Sequence, residues 1–276
     1  MEYKDEQMPD NYTEPEQPSS GHNGEEPQDG FTFNPTNLFL GVAICFMMFQ
    51  GGSVFSDWTY FLYLFAVIII HEMGHVIFGK MFGCAIKEMQ VFFMPFLSYK
   101  PKPKPGGSSW QHIKWSLGSL PLGGLTVFKS RKSNEDIDDD GNAIDGTEMA
   151  SKASPYIEDK AAWQRLLISA AGVLFNMITF LILYIALPHM STECYHFFWP
   201  IIALSLILAI LNILPIYPLD GGAIVFALYE IITGNKPSPL FTKICGWIGF
   251  VIIILFFWVF PQWMNALFDF VFGLLF

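Results

Sequence analysis

Apolar and polar positions alternate along this chain in blocks, not at single-residue spacing. Asn37–Phe55 is apolar and charge-free, with Gly51-Gly52 near its end. Trp58–Lys80 follows, and no charge falls between Tyr60 and Ile70. Residues 163–188 form a third apolar block, long enough to cross a bilayer with some tilt. A fourth runs Phe197–Leu214, is broken by IYPLDGG at 216–222, and resumes as helix-like sequence to about Ile232. Cys245–Phe260 is a fifth, and residues 262–276 after Pro261 form an interfacial segment or a short crossing. A crossing needs about 20 apolar residues, so the pattern predicts an all-α polytopic membrane protein of about five to six transmembrane helices. The loop at 84–162 departs from it. Within that loop EMQVFFMPFLSYK (88–100) and QHIKWSLGSLPLGGLTVF (111–128) are rich in Phe, Val, Tyr and Trp around a Pro/Gly turn at 101–107, which predicts a β-hairpin element. Both arms are too apolar for free solvent, so the hairpin is expected to be membrane-associated.

Composition strengthens the membrane reading. Of 276 residues, 52% are hydrophobic and 17% aromatic, mean hydropathy is +0.39, and only 14% are charged, unlike a soluble domain. The charge is concentrated. Residues 1–30 carry nine Asp/Glu and one Lys among Pro, Gly, Asn and Ser, too polar to bury a core and unlike a secretory signal peptide. The expected organisation is therefore an acidic disordered tail at 1–36 and a membrane domain at 37–276. Residues 130–155 read as an acidic, solvated linker. Asp136, Asp138, Asp140 and Gly141 open like a calcium loop, but Thr147 stands where such a loop needs Glu. The net charge of −10 lies largely in the tail and linker, which argues against a nucleic-acid partner. Cys45, Cys84, Cys194 and Cys245 have no paired spacing. Twelve of the fifteen Lys/Arg fall between Lys80 and Arg165, two more are Lys236 and Lys243, and the 189–196 loop has none. By the excess of basic residues on cytoplasmic loops, the 84–162 loop is expected in the cytoplasm.

The second apolar block holds the candidate chemistry. His71, Glu72 and His75 form HEMGH within it. On a helix the two histidines share a face four residues apart. Two imidazoles at that spacing can ligate Zn²⁺, and the adjoining Glu can take a proton from water. His71 lies past the middle of a hydrocarbon core roughly 30 Å thick, where ionisable groups are costly and usually face a partner or a cavity. A catalytic zinc keeps three protein ligands and one open position. The carboxylates left in apolar surroundings are Asp220, Glu230 and Asp269. Asp220 sits between Pro215, Tyr217, Pro218 and Gly221-Gly222, where the helix must break, and broken helices inside membranes line cavities. Taken alone, these residues are better explained as a turn with Asp as its cap. His112, His189 and His196 have no partner at ligand spacing and read as structural.

Taken together, HEMGH, AAGVLFN at 170–176 and NILPIYPLDGG at 212–222 resemble the site-2 protease family of intramembrane zinc metalloproteases. LGSLPLGGLTVF at 117–128 and WQRLLISAAG at 163–172 resemble its bacterial branch. The resemblance covers about residues 57–260. It implies one zinc per chain held by His71, His75 and Asp220, Glu72 as general base, and Asn176 and Asn212 as polar helpers near the cleaved bond. It implies regulated intramembrane proteolysis in a bacterial inner membrane, with a membrane-anchored substrate such as an anti-sigma factor or a signal-peptide remnant. Val173 departs from the family's usual Pro, and the 189–196 loop has no room for the PDZ domain many relatives carry there. The other reading of the same features is a catalytically silent membrane scaffold or a metal-binding carrier. A metalloprotease taking its third ligand from a later Glu is disfavoured, because Glu230 has no setting like that of Asp220.

Overall fold

Among the described residues six helices and three strands follow one another as β1 (Gly30–Phe33), α1 (Pro35–Phe49), α2 (Thr59–Met81), β2 (Ile86–Lys100), β3 (Lys114–Phe128), α3 (Ala162–Ala186), α4 (Thr192–Ile213), α5 (Asp220–Thr233) and α6 (Pro239–Val259). The structure, a computed structural model, describes residues 30–49, 59–102, 109–129, 154–259 and 273. The mostly helical class stands, with a small three-stranded antiparallel sheet, in the order β1-β2-β3, where a hairpin was expected. Among the described residues three helices are long and apolar enough to cross a membrane, Phe61–Met81, Ala162–His189 and Thr192–Ile213, while Pro35–Cys45 and Pro239–Ile253 are shorter apolar helices. The 1–29 stretch of the tail, most of the 130–155 linker with its calcium-like run, and the 262–276 crossing lie outside the described residues, apart from Gly273.

Several boundaries differ from the expected ones for identifiable reasons. The tail ends before residue 36, because Gly30–Phe33 already pairs with Leu97–Lys100. Of the block expected at Asn37–Phe55, residues 37–49 belong to the fifteen-residue α1, about 22 Å long, and 50–55 lie outside the described residues. It lies on the sheet: Asn37 Nδ2 donates to the Pro95 carbonyl at 2.7 Å, and Ser119 Oγ donates to the Asn37 carbonyl at 2.6 Å. Helix α4 starts at Thr192, five residues before the apolar block, because Ser191 Oγ caps the Cys194 amide and Glu193 sits in the positive first turn. Helix α6 likewise starts at Pro239, with Ser238 Oγ accepting from the Phe241 amide.

Each long strand is bent, so that the sheet folds back on itself. Val91 pairs with both Leu117 and Gly124, and Met89 with both Trp115 and Thr126. The first half of β2 thus lies between the two halves of β3, while its second half carries Trp115–Leu117 on one side and β1 on the other. The bend in β2 falls at Phe92 and Met94, both at positive φ, a conformation uncommon for such bulky residues. In β3 it passes Gly118, where a Cβ would stand 2.1 Å from the Phe93 carbonyl oxygen.

Helix α2 is the hub. One side packs Ile68 and Val76 on Ile86, Met89, Val91, Phe92 and Ile113 of the sheet region, and the other meets α3 and α4. At the α2–α3 crossing the backbones nearly touch: a Cβ on Gly74 would lie 2.6 Å from the Ala171 carbonyl oxygen. Small residues permit such approaches where lipid removes any hydrophobic drive between helices.

Candidate metal centre

The HEMGH turn is buried between α3 and the sheet, with His71 5%, Glu72 4% and His75 7% exposed. Asp220 reaches it from another part of the chain. After α4 ends, Pro215 and Pro218 lack amide donors and hold the connection open, and Asp220 opens α5 as its first residue. The expected break at 216–222 is in fact at 214–219, so Gly221 and Gly222 belong to α5. They permit a tight return: a Cβ would meet the Leu214 carbonyl oxygen at 2.1 Å from Gly221 and the Tyr217 amide nitrogen at 2.4 Å from Gly222.

The three side chains converge on one point. His71 Nε2 and His75 Nε2 lie 3.0 and 3.3 Å from Asp220 Oδ2, and 3.3 Å from each other. Among the described residues this is the group of metal-ligating side chains that can hold one ion, with ligand atoms within 4.8 Å of one another. The donor chemistry fits a cation. His75 Nδ1 lies 2.8 Å from the Ile168 carbonyl, which only accepts, so Nδ1 carries the hydrogen and Nε2 presents a lone pair. Asp220 Oδ2 is buried and receives no hydrogen from this nitrogen. A lone pair and a carboxylate oxygen facing each other at this range repel unless a cation lies between them. Space is kept by Gly172 of α3, where a Cβ would stand 2.5 Å from both Nε2 atoms.

Glu72 stands apart from this set, on the sheet side of α2. The Thr126 hydroxyl donates to its Oε2 at 2.7 Å, and a Cβ on Gly124 would come within 2.6 Å of its Oε1. The second half of β3 therefore forms one wall of the site. The sequence places these strands beside the site, but not the contact of Thr126 and Gly124 with Glu72, of which the Gly-Gly of LGGLTVF was a trace. Asn176, expected near the cleaved bond, is fully buried with its amide 3.1 Å from His71 Nδ1, on the side of the ring away from Asp220. Asn212 donates to the Leu208 carbonyl one turn back at 3.0 Å, and no contact sets it against the three ligand atoms. Glu230 is paired with Arg165, and Asp269 lies outside the described residues.

Comparison with known proteins gives a consistent relation. A family profile described as Peptidase family M50 matches residues 59–193 and 188–256. Metalloprotease MmpA of Caulobacter vibrioides is 29% identical over 122 residues, 42% of this chain and 29% of that protein. Probable membrane metalloprotease ARASP2, chloroplastic, of Arabidopsis thaliana is 26% identical over 131 residues, 47% of this chain and 25% of that protein. The match therefore spans less than a third of either relative's length. Among solved structures, the site-2 protease from Methanocaldococcus jannaschii aligns with a TM-score of 0.46 at 20% identity, over 85% of this chain and 82% of that one.

Proposed function

We propose, on the premise that the chain belongs to peptidase family M50, that it is an intramembrane zinc endopeptidase acting on single-span membrane proteins. The observation that carries this is the meeting of three ligand atoms, His71 Nε2, His75 Nε2 and Asp220 Oδ2, among apolar helices with a buried carboxylate one residue from His71. Two imidazoles and one carboxylate suit zinc, one ion per chain, with a coordination position left for water or substrate. When bound, the ion polarises a scissile carbonyl and brings the pKa of water towards 7.

The chain's own groups supply the rest. Glu72 takes the proton of the attacking water and delivers it to the leaving amine. Thr126 holds one oxygen of that carboxylate, leaving the other for the proton. The Asn212 amide, one helix end away from Asp220, is the remaining candidate for holding substrate backbone near the cleaved bond. A substrate helix hides its peptide bonds and must unwind, and the second half of β3, paired on one side with β2, offers an edge on which the unwound segment can add as a strand. The substrates this suits are membrane-anchored proteins, an anti-sigma factor or a signal-peptide remnant among them. The basic residues between Lys80 and Arg165 put the linker side in the cytoplasm, which for a bacterial chain means the inner membrane.

The test is cleavage of a panel of single-span substrates by purified protein, wild type against Glu72→Gln, with bound zinc assayed in both. Glu72→Gln is expected to hold about one zinc and to lose roughly 10²–10⁴-fold in cleavage rate. Zinc in both without cleavage of any substrate would return the scaffold or carrier reading, and zinc in neither would remove the site.

A further inference from the structure

The two histidines aim the same nitrogen at Asp220, and both turn the other towards α3, where they meet different groups. His75 Nδ1 faces the Ile168 carbonyl. His71 Nδ1 faces the Asn176 amide, with Nδ2 placed 3.1 Å from it. In that placement the amide donates to Nδ1, so His71 Nε2 must carry the ring hydrogen and point it at Asp220 Oδ2. Such a nitrogen cannot ligate a metal ion. The same placement leaves Asn176 Oδ1 buried with no hydrogen-bond partner, in a residue that is 0% exposed. Oxygen and nitrogen of a side-chain amide have nearly the same shape, and the hydrogen-bond network decides between them. A half-turn of the amide sets Oδ1 against the imidazole N–H, giving the orphaned acceptor its donor.

We propose that Asn176 is the positioning residue of His71: its Oδ1 accepts from Nδ1–H and so frees Nε2 for the metal. The Ile168 carbonyl does the same for His75. Ile168, Gly172 and Asn176 are spaced four apart, so one stripe of α3 supplies an acceptor, a gap and an acceptor to the two rings. Metal-ligating histidines usually give their second N–H to such an acceptor, which fixes the tautomer and raises ligand basicity. This role places Asn176 behind the ring and away from the substrate, unlike the role expected from the resemblance. It rests on the reading of this cluster as a metal centre.

Zinc affinity of the purified full chain in detergent, measured by competition with a chromophoric chelator, separates the alternatives. Asn176→Asp offers only acceptors and is expected to bind zinc within about threefold of wild type, or more tightly. Asn176→Leu removes the acceptor and is expected to weaken binding roughly 10–100-fold. Asn176→Asp binding at least tenfold more weakly than wild type would overturn the proposal, because it would show that the amide hydrogens are what His71 needs. Wild-type affinity in a folded Asn176→Leu would overturn it equally. Should the Leu variant not fold, the Asp variant alone decides. Failure of wild type itself to bind zinc would instead overturn the metal-centre reading.

Discussion

Thr126 is the residue whose role is least expected from the chain. It lies 54 positions from Glu72, yet its hydroxyl holds one oxygen of the carboxylate proposed as the general base. Valine has the same shape without the donor, so Thr126→Val should leave the fold intact and the carboxylate free to turn. A hydrogen bond to a charged group contributes about 1.5–3 kcal/mol, and only part of that is lost when water or another donor substitutes. The expected outcome is a roughly tenfold lower kcat with KM little changed, and recovery of most of the rate in Thr126→Ser. A KM effect of the same size with kcat unchanged would mean that Thr126 holds substrate and not Glu72. His71, Glu72 and His75 stood out in the sequence because ionisable groups within apolar surroundings announce themselves, whereas Asp220 was set apart from Glu230 and Asp269 only by the helix break and by the resemblance. The roles proposed for Asn176, Thr126 and Gly172 were not legible, because which atom of α2 each one meets depends on helix rotation and sheet register.

Among the elements, the α2–α3 crossing sets the distance between the ligand turn and the groups behind it. Gly74 meets the Ala171 carbonyl there, and Gly172 of the same stretch leaves room beside both imidazoles. Gly74→Ala must push the helices apart, since the obstructing atom is backbone. Overpacking of this kind typically costs about 1–3 kcal/mol, so a lower thermal midpoint in detergent, together with weaker zinc binding, is expected. A lower midpoint with unchanged zinc affinity would show that the metal set tolerates the shift. The helix cores and the starts of α2 and α3 were readable from apolar blocks, but the starts of α4 and α6 were not. Thr192–His196 is polar enough to read as loop and becomes helix through the Ser191 cap. The doubling back of the sheet was hidden for another reason: its corner uses Phe92 and Met94 at positive φ, where glycine would have been the legible signal.

For the whole molecule, the arrangement of faces follows from where the chain is tied. The 130–153 linker leaves and returns at a single residue, since the Lys129 amide donates to the Ala85 carbonyl and the Ala85 amide to the Pro155 carbonyl. Lys236, beyond α5, donates to the Glu158 carbonyl on the same end. Cys194 lies in the first turn of α4, past the far end of α3, about 37 Å from its start for 25 residues at 1.5 Å each. Cys194 is exposed and Cys84 buried. Burial also pushes the Cys84 thiol above its ordinary range, against the opposing pull of Lys160, so little thiolate is present at neutral pH to react. The basic linker side should face the cytoplasm. A membrane-impermeant maleimide should then label Cys194 in right-side-out preparations, with Cys194→Ser as the control that assigns the signal. A Ser133→Cys reporter in the linker, in the Cys194→Ser background, should label in inverted vesicles alone, and Cys84 should stay unlabelled in both. The reverse labelling pattern would invert the orientation while keeping the faces apart. Labelling of Cys194 and Ser133→Cys from the same side would mean that α3 does not cross, and the intramembrane reading of the metal centre would fall with it.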